Sequence, residues 1–173
     1  MSSLRTSTIF LGLLLCGPGH GEVVSSSDTH FVLHLEMSST LPPDRMWERL
    51  VNPAQWWHPD HTYSGDAGNL TLTAEAGGLW REDWAAGSVA HGEVLFVQEG
   101  EILRLEAPFG PLQGLGAYTV WTITIEPTDE GSLVLFDEIS SAPPGSKMDE
   151  MAKAVDYVKS EAIQRLAAGQ PAG

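Results

Sequence analysis

Cysteine is almost absent. The single Cys16 cannot build an internal disulfide framework. Positive charge is scarce too: nine Lys plus Arg stand against 23 Asp plus Glu, a formal net charge of -14. That balance argues against a nucleic-acid binder, which needs a basic patch to displace phosphate counterions. The Gly-x-Ser-x-Gly pattern of a nucleophile elbow does not occur. Gly77-Gly78 falls between two strand patterns, so it is not a phosphate loop opening a helix. No apolar run reaches the about 20 residues that span a bilayer. What is present is a hydrophobic content of 42%, enough for a folded core. The length favours one domain, roughly 100–200 residues being usual.

The first 21 residues read as a signal peptide. Arg5 is the only charged residue before Glu22 and gives a minimal basic region. The apolar run Ile9 to Cys16 has the length of a signal-peptide core, Pro18 breaks it, and Gly19 and Gly21 are small residues at the cleavage positions. The expectation is export to the periplasm or the medium, with cleavage near Gly21. Lipidation at Cys16 competes, but Leu15 is large for that motif. Cleavage removes Arg5 and the only thiol, leaving a more acidic chain suited to an oxidising compartment.

The rest divides into a short, loose, Ser-rich leader over 22–28 and a single domain over 29–169. His30 to Met37 alternates with period two, which predicts a half-buried strand. Pro42-Pro43 opens a helix carrying Met46, Trp47, Leu50 and Val51 at helical spacing, and Asn52-Pro53 ends it and starts a second short one. Six strand patterns follow at hairpin spacing: 70–74, 79–84, 89–97, 102–107, 118–126 and 133–140. Ser146 and Asp149 look like a capping box for a last helix over about 147–168. Its apolar stripe is Met148, Met151, Val155, Val158 and Ala162. The class is α+β: a curved antiparallel sheet of about seven strands around a long C-terminal helix, with two short helices after the first strand. A sheet gripping a helix leaves concave space for a small ligand.

This order resembles the helix-grip fold of the START and birch-pollen-allergen-like (SRPBCC) superfamily. Trp47-Glu48-Arg49-Leu50, Pro53 and Trp56-Trp57 resemble the branch of polyketide cyclase-like proteins and homologues of the heat-shock-protein-90 ATPase activator. His61 to Ala67, Asn69-Leu70, Gly77-Gly78 with Glu82, Leu103-Arg104-Leu105 and Gly110 to Gln113 resemble a bacterial subgroup of it. The resemblance covers about residues 30–168. It implies binding of lipids, sterols, polyketides or other hydrophobic molecules, with a minority of enzymes. An export signal departs from that branch and argues against a cytosolic co-chaperone role.

Glu82 is the most informative carboxylate. Period two puts it on one face with Trp80 and Trp84. Between two indoles it would be partly desolvated, with a raised pKa suited to a general base or a ligand-hydroxyl acceptor. The competing reading is a structural partner for an Arg or a backbone amide. Glu138 follows Val134 and Phe136 at period two and so points inward, although Leu133, Leu135 and Ile139 blur the assignment. Trp56, Trp57, Tyr63, Trp80, Trp84, Phe96, Phe109 and Trp121 are candidate cavity walls, with 109–112 as a lid. His58-Pro59-Asp60-His61 could contribute to a zinc site, but Pro59 interrupts it and a turn is preferred. No metal or cofactor is expected. The leading expectation is an exported binder of a small hydrophobic molecule. The alternatives are a cyclase- or dehydratase-type enzyme using Glu82 or a His, and an envelope interaction module with an acidic surface.

Overall fold

The computed structural model describes residues 21–169. Apart from Gly21, the segment read as a signal peptide lies outside the described residues. The fold is α+β: one eight-stranded antiparallel sheet, a short helix α1 (Pro43–Leu50), a four-residue helix α2 (Pro111–Gly114) and a long C-terminal helix α3 (Met148–Ala167). The strands are β1 (Gly21–Ser26), β2 (His30–Ser39), β3 (Leu70–Leu72), β4 (Leu79–Trp84), β5 (Gly87–Gln98), β6 (Ile102–Glu106), β7 (Tyr118–Thr128) and β8 (Gly131–Ser141). Their spatial order is β1-β2-β8-β7-β6-β5-β4-β3. From β3 to β8 the chain meanders, and β2 closes beside β8. This is a helix-grip architecture. No described helix is long and apolar enough to cross a membrane.

The leader expectation is corrected. Gly21–Ser26 is not loose but an edge strand, paired antiparallel with β2 from Gly21↔Leu35 to Ser26↔Phe31. Of its two valines, Val23 packs against the core while Val24 is exposed. Backbone pairing makes this strand, and an edge strand whose Val23 is only partly buried leaves little hydrophobic pattern to read.

One face of the sheet is apolar and carries the core. Leu33, Glu138, Trp121, Leu105 and Val94 lie opposite one another across β2, β8, β7, β6 and β5. Leu35, Phe136, Ile123 and Leu103 form the next row. All of these except Glu138 are apolar, and all are buried. Helix α3 packs across this face at β1, β2 and β8 and touches α1. Between β2 and β3, three single 3-10 turns (Pro53–Gln55, Pro59–His61, Ala67–Asn69) cover the other half, where the sequence reading placed one short helix.

The start of α3 differs from the expected capping box. Lys147 takes the N-cap position with a left-handed φ of 54° and no side-chain cap. Asp28, in the β1–β2 turn, does the work instead. Its carboxylate accepts from the Gly145 N–H at 2.6 Å and the Lys147 N–H at 3.2 Å, and its carbonyl accepts from the Met148 N–H at 3.0 Å. The cap therefore comes from far along the chain and ties the helix to the sheet edge. We expect Asp28→Ala to cost about 1–2 kcal/mol, as loss of a helix cap does, read as a lower urea midpoint with unchanged far-UV circular dichroism.

Candidate functional site

A cavity of about 360 Å³ opens between α3, the 57–63 segment and the 109–112 loop. Its walls are mostly apolar: Met151, Val155 and Val158 from α3, and Trp57, Phe109 and Leu112 from the loops. His61, Thr62 and Tyr63 line it from the 3-10 segment. Three further polar side chains of the lining are buried, namely Lys159, Glu138 and His91.

Lys159 is the residue that the sequence reading passed over. It lies four residues after Val155 and three before Ala162, on the inward stripe of α3, and is 2% exposed. Its Nζ is 3.1 Å from Glu138 Oε2 on β8. Glu138 points inward, as the period-two reading held, and neighbouring Ile139 is exposed. Neither Nζ nor Oε2 has an aligned hydrogen bond. The cation instead lies over Trp121, 2.9 Å from the ring centroid, with Phe109 at 4.8 Å and Trp57 at 5.9 Å. Desolvation brings the Lys159 pKa down to about 8 against the pull of Glu138. Burial likewise pushes the Glu138 carboxyl above its ordinary range, although Lys159 opposes this. Helical spacing could have found Lys159, since a lysine between two stripe positions is out of place in an amphipathic pattern.

Glu82 is inward, as expected, and fully buried, but its environment corrects the expected raised pKa. Burial alone would raise it. Hydrogen bonds outweigh burial and hold it below the ordinary value. Oε1 accepts from the Ser64 N–H at 2.6 Å, and Oε2 from the Tyr63 N–H at 3.1 Å. His91 Nε2 stands 2.9 Å from Oε2. An ionised Glu82 assigns the proton to Nε2, because a carboxylate only accepts. That leaves His91 Nδ1 as a buried acceptor with no hydrogen-bond partner among the described residues. Desolvation holds His91 below its ordinary pKa despite Glu82, so the ring is neutral. Glu82 thus fixes the 63–64 backbone and the His91 tautomer, and its oxygens are already engaged.

His91 reaches this position through a β-bulge. Trp80 pairs with Gly92 and Arg81 with Ala90, so His91 is the extra residue and both His91 and Gly92 are buried. Gly92 is needed here, because a Cβ would fall 2.7 Å from that of Ala107. A second bulge between Val94 and Phe96 turns Phe96 to the outer face, where it is 40% exposed beneath Arg104. Phe96, expected as a cavity wall because it is aromatic, is therefore no cavity residue, since the extra residue Leu95 shifts the strand's alternation.

The remaining candidates sort by depth. Trp57, Tyr63, Phe109 and Glu138 line the cavity. Trp56, Trp80 and Trp121 are fully buried behind it and pack edge-on or tilted at 4.9–6.5 Å among themselves, Trp57, Phe109 and Phe136. Trp84 lies outside the lining and stacks parallel on Tyr63 at 6.4 Å. His58 caps a 3-10 turn by accepting from the Asp60 N–H. His61 Nε2 meets Glu161 Oε2 at 2.7 Å, joining that turn to α3. No group of three or more His, Cys, Asp or Glu among the described residues could hold a metal ion.

The sequence matches no protein-family model and no curated protein. Its fold does match solved structures. A protein from Chromobacterium violaceum (CV1439) is 19% identical, with a TM-score of 0.55 over 79% of this chain and 94% of that one. A Rhodobacter sphaeroides protein is 18% identical, with a TM-score of 0.56 over 86% and 96%. CalU16 from Micromonospora echinospora is 13% identical, with a TM-score of 0.54 over 89% and 84%. At these identities the likeness is one of fold.

Two outcomes are expected of the polar pairs. Lys159→Met and Glu138→Leu should each cost about 3–5 kcal/mol in denaturant unfolding, since each strands a buried charge, while the double variant should recover most of that loss. Acid should weaken the fold through His91. Below its ordinary pKa of 6.5 the unfolded chain takes up a proton that the folded protein accepts only at lower pH. The stability difference between pH 7 and pH 5 should therefore shrink in His91→Gln, read as urea midpoints at both pH values.

Proposed function

We propose that this protein binds a small, mostly apolar molecule bearing one polar head group, in the cavity between the sheet and α3. The observation that carries this reading is the lining. Three polar atoms, Lys159 Nζ, Glu138 Oε2 and His91 Nδ1, are buried on cavity-wall residues without an aligned hydrogen bond. An unmade bond at a buried polar atom costs about 1–3 kcal/mol. A head group that accepts from Lys159 or donates to His91 regains part of that, and the apolar walls add roughly 25 cal/mol per Å² buried. The volume, about 360 Å³, suits a ligand of one or two rings or a short acyl chain. Phe109 to Leu112 would serve as the lid. The motifs quoted above support placing the chain in the SRPBCC superfamily, in its polyketide cyclase-like branch. The signal-like first 21 residues and the cysteine-free remainder support export to the periplasm or the medium.

A second reading is proton transfer on a hydrophobic carbonyl substrate. The Glu82–His91 pair favours it, with His91 Nδ1 as the base and Glu82 as its positioning residue. In that reading Glu82 itself takes no proton from the substrate.

Native mass spectrometry of protein recovered from the envelope or medium tests the leading reading. The expected result is a chain starting near Glu22 with an apolar molecule bound. Val158→Trp, which fills the cavity from α3, should lose that molecule and weaken binding of an apolar fluorescent probe at least tenfold, with unchanged circular dichroism. Equal binding by wild type and Val158→Trp would overturn the reading.

A further inference from the structure

We propose that Lys159 is a nucleophilic amine that forms a reversible imine with an apolar aldehyde or ketone held in the cavity. The inference rests on the binding reading above and assigns it a carbonyl-bearing ligand. Four observations place the chemistry at this atom. Lys159 is the only lysine facing the cavity, and of the three in the chain Lys147 and Lys153 are exposed. Its Nζ has no aligned hydrogen bond to hold its lone pair or protons. A carboxylate, Glu138 Oε2, stands 3.1 Å away, within reach of a proton transfer. The rings of Trp121, Phe109 and Trp57 surround the nitrogen, so a cationic iminium formed there would keep the π-faces that the ammonium now has.

The step balances within the site. Glu138 takes one proton from the ammonium, leaving the neutral amine. The Nζ lone pair attacks the carbonyl carbon, and the C=O π pair goes to oxygen, which takes up one of the two protons on the attacking nitrogen. The resulting carbinolamine expels that oxygen as water when Glu138 returns a proton to it, and the nitrogen lone pair closes the C=N bond. One carbonyl and one amine give one imine and one water, with no change of oxidation state. The opposite displacements of the pair, lysine downward and carboxyl upward, ease the first transfer. The apolar walls disfavour the reverse hydrolysis by limiting water.

Two probes of one shape separate this proposal from the binding reading. The full chain is mixed with 2-naphthaldehyde and sodium cyanoborohydride at pH 7, and the labelled peptide is mapped by mass spectrometry. In parallel, 2-naphthalenemethanol, which fills the cavity but cannot form an imine, is titrated against tryptophan emission. The expected result is saturable alcohol binding and naphthylmethylation of Lys159 at least twentyfold over Lys147, Lys153 and the terminal amine. Lys159→Arg should abolish that label, while Lys153→Arg, at an exposed lysine of the same helix, should change neither the Lys159 label nor alcohol binding. Glu138→Gln should slow labelling about tenfold or more, as loss of a general acid–base group does. If the alcohol binds but label spreads evenly over the lysines, the imine is overturned and the binding reading stands. If the folded protein binds neither probe, both fall.

Discussion

The Lys159–Glu138 contact is the constraint around which the rest of the molecule is arranged. A charge pair removed from water is tolerated only where its partners are fixed. The pair ties α3 to β8, at the centre of a row that is otherwise Leu33, Trp121, Leu105 and Val94. Turning α3 by one residue, about 100°, would take the ammonium away from Glu138 and bury or expose the wrong side chains along the helix. The helix rotation, the inward face of β8 and the three rings around Nζ are therefore one solution to one problem. The cavity is what remains beside it.

The two buried carboxylates meet opposite fates. Glu82 accepts from two backbone amides and a histidine, and is held ionised. Glu138 has one cation beside it and no aligned donor at Oε2, and burial drives it toward the acid form. Environments that push like groups apart divide labour between them. Glu82 is a fixed point that shapes the 63–64 turn and the His91 ring, whereas Glu138 faces a single ammonium, Lys159, with which a proton can be exchanged.

Much of the architecture is legible because each element carries its own period. β4, for instance, is bounded by Gly77-Gly78 and Ala85-Ala86, and the pattern over 79–84 matches the observed strand residue for residue. The edge strand β1 is silent because hydrogen bonding to β2, not burial, forms it. The α3 cap is silent because Asp28 acts across more than a hundred residues of chain. At the site, Glu138 and the inward side of Glu82 follow from alternation. The pKa direction of Glu82 does not, because the Tyr63 and Ser64 amides are tertiary partners. The inward His91 and the outward Phe96 share one cause that alternation does not show, the bulges of β5. Lys159 was readable in principle, but a charged residue within a helix is ordinarily assigned to solvent.

Those bulges have a consequence for how this chain tolerates insertion and loss. Before the first, the inward residues of β5 are Val89 and His91; between the two they are Gly92 and Val94; after the second the inward position passes to Val97. The first extra residue changes the phase of the strand and the second restores it. They act as a frameshift and its suppressor. Losing either alone inverts one stretch of the strand, whereas losing both returns a regular ladder that keeps its ends in phase and forfeits the inward histidine. A change of length in this strand keeps its ends in phase only when it is made at both bulges, and the inward histidine depends on the first.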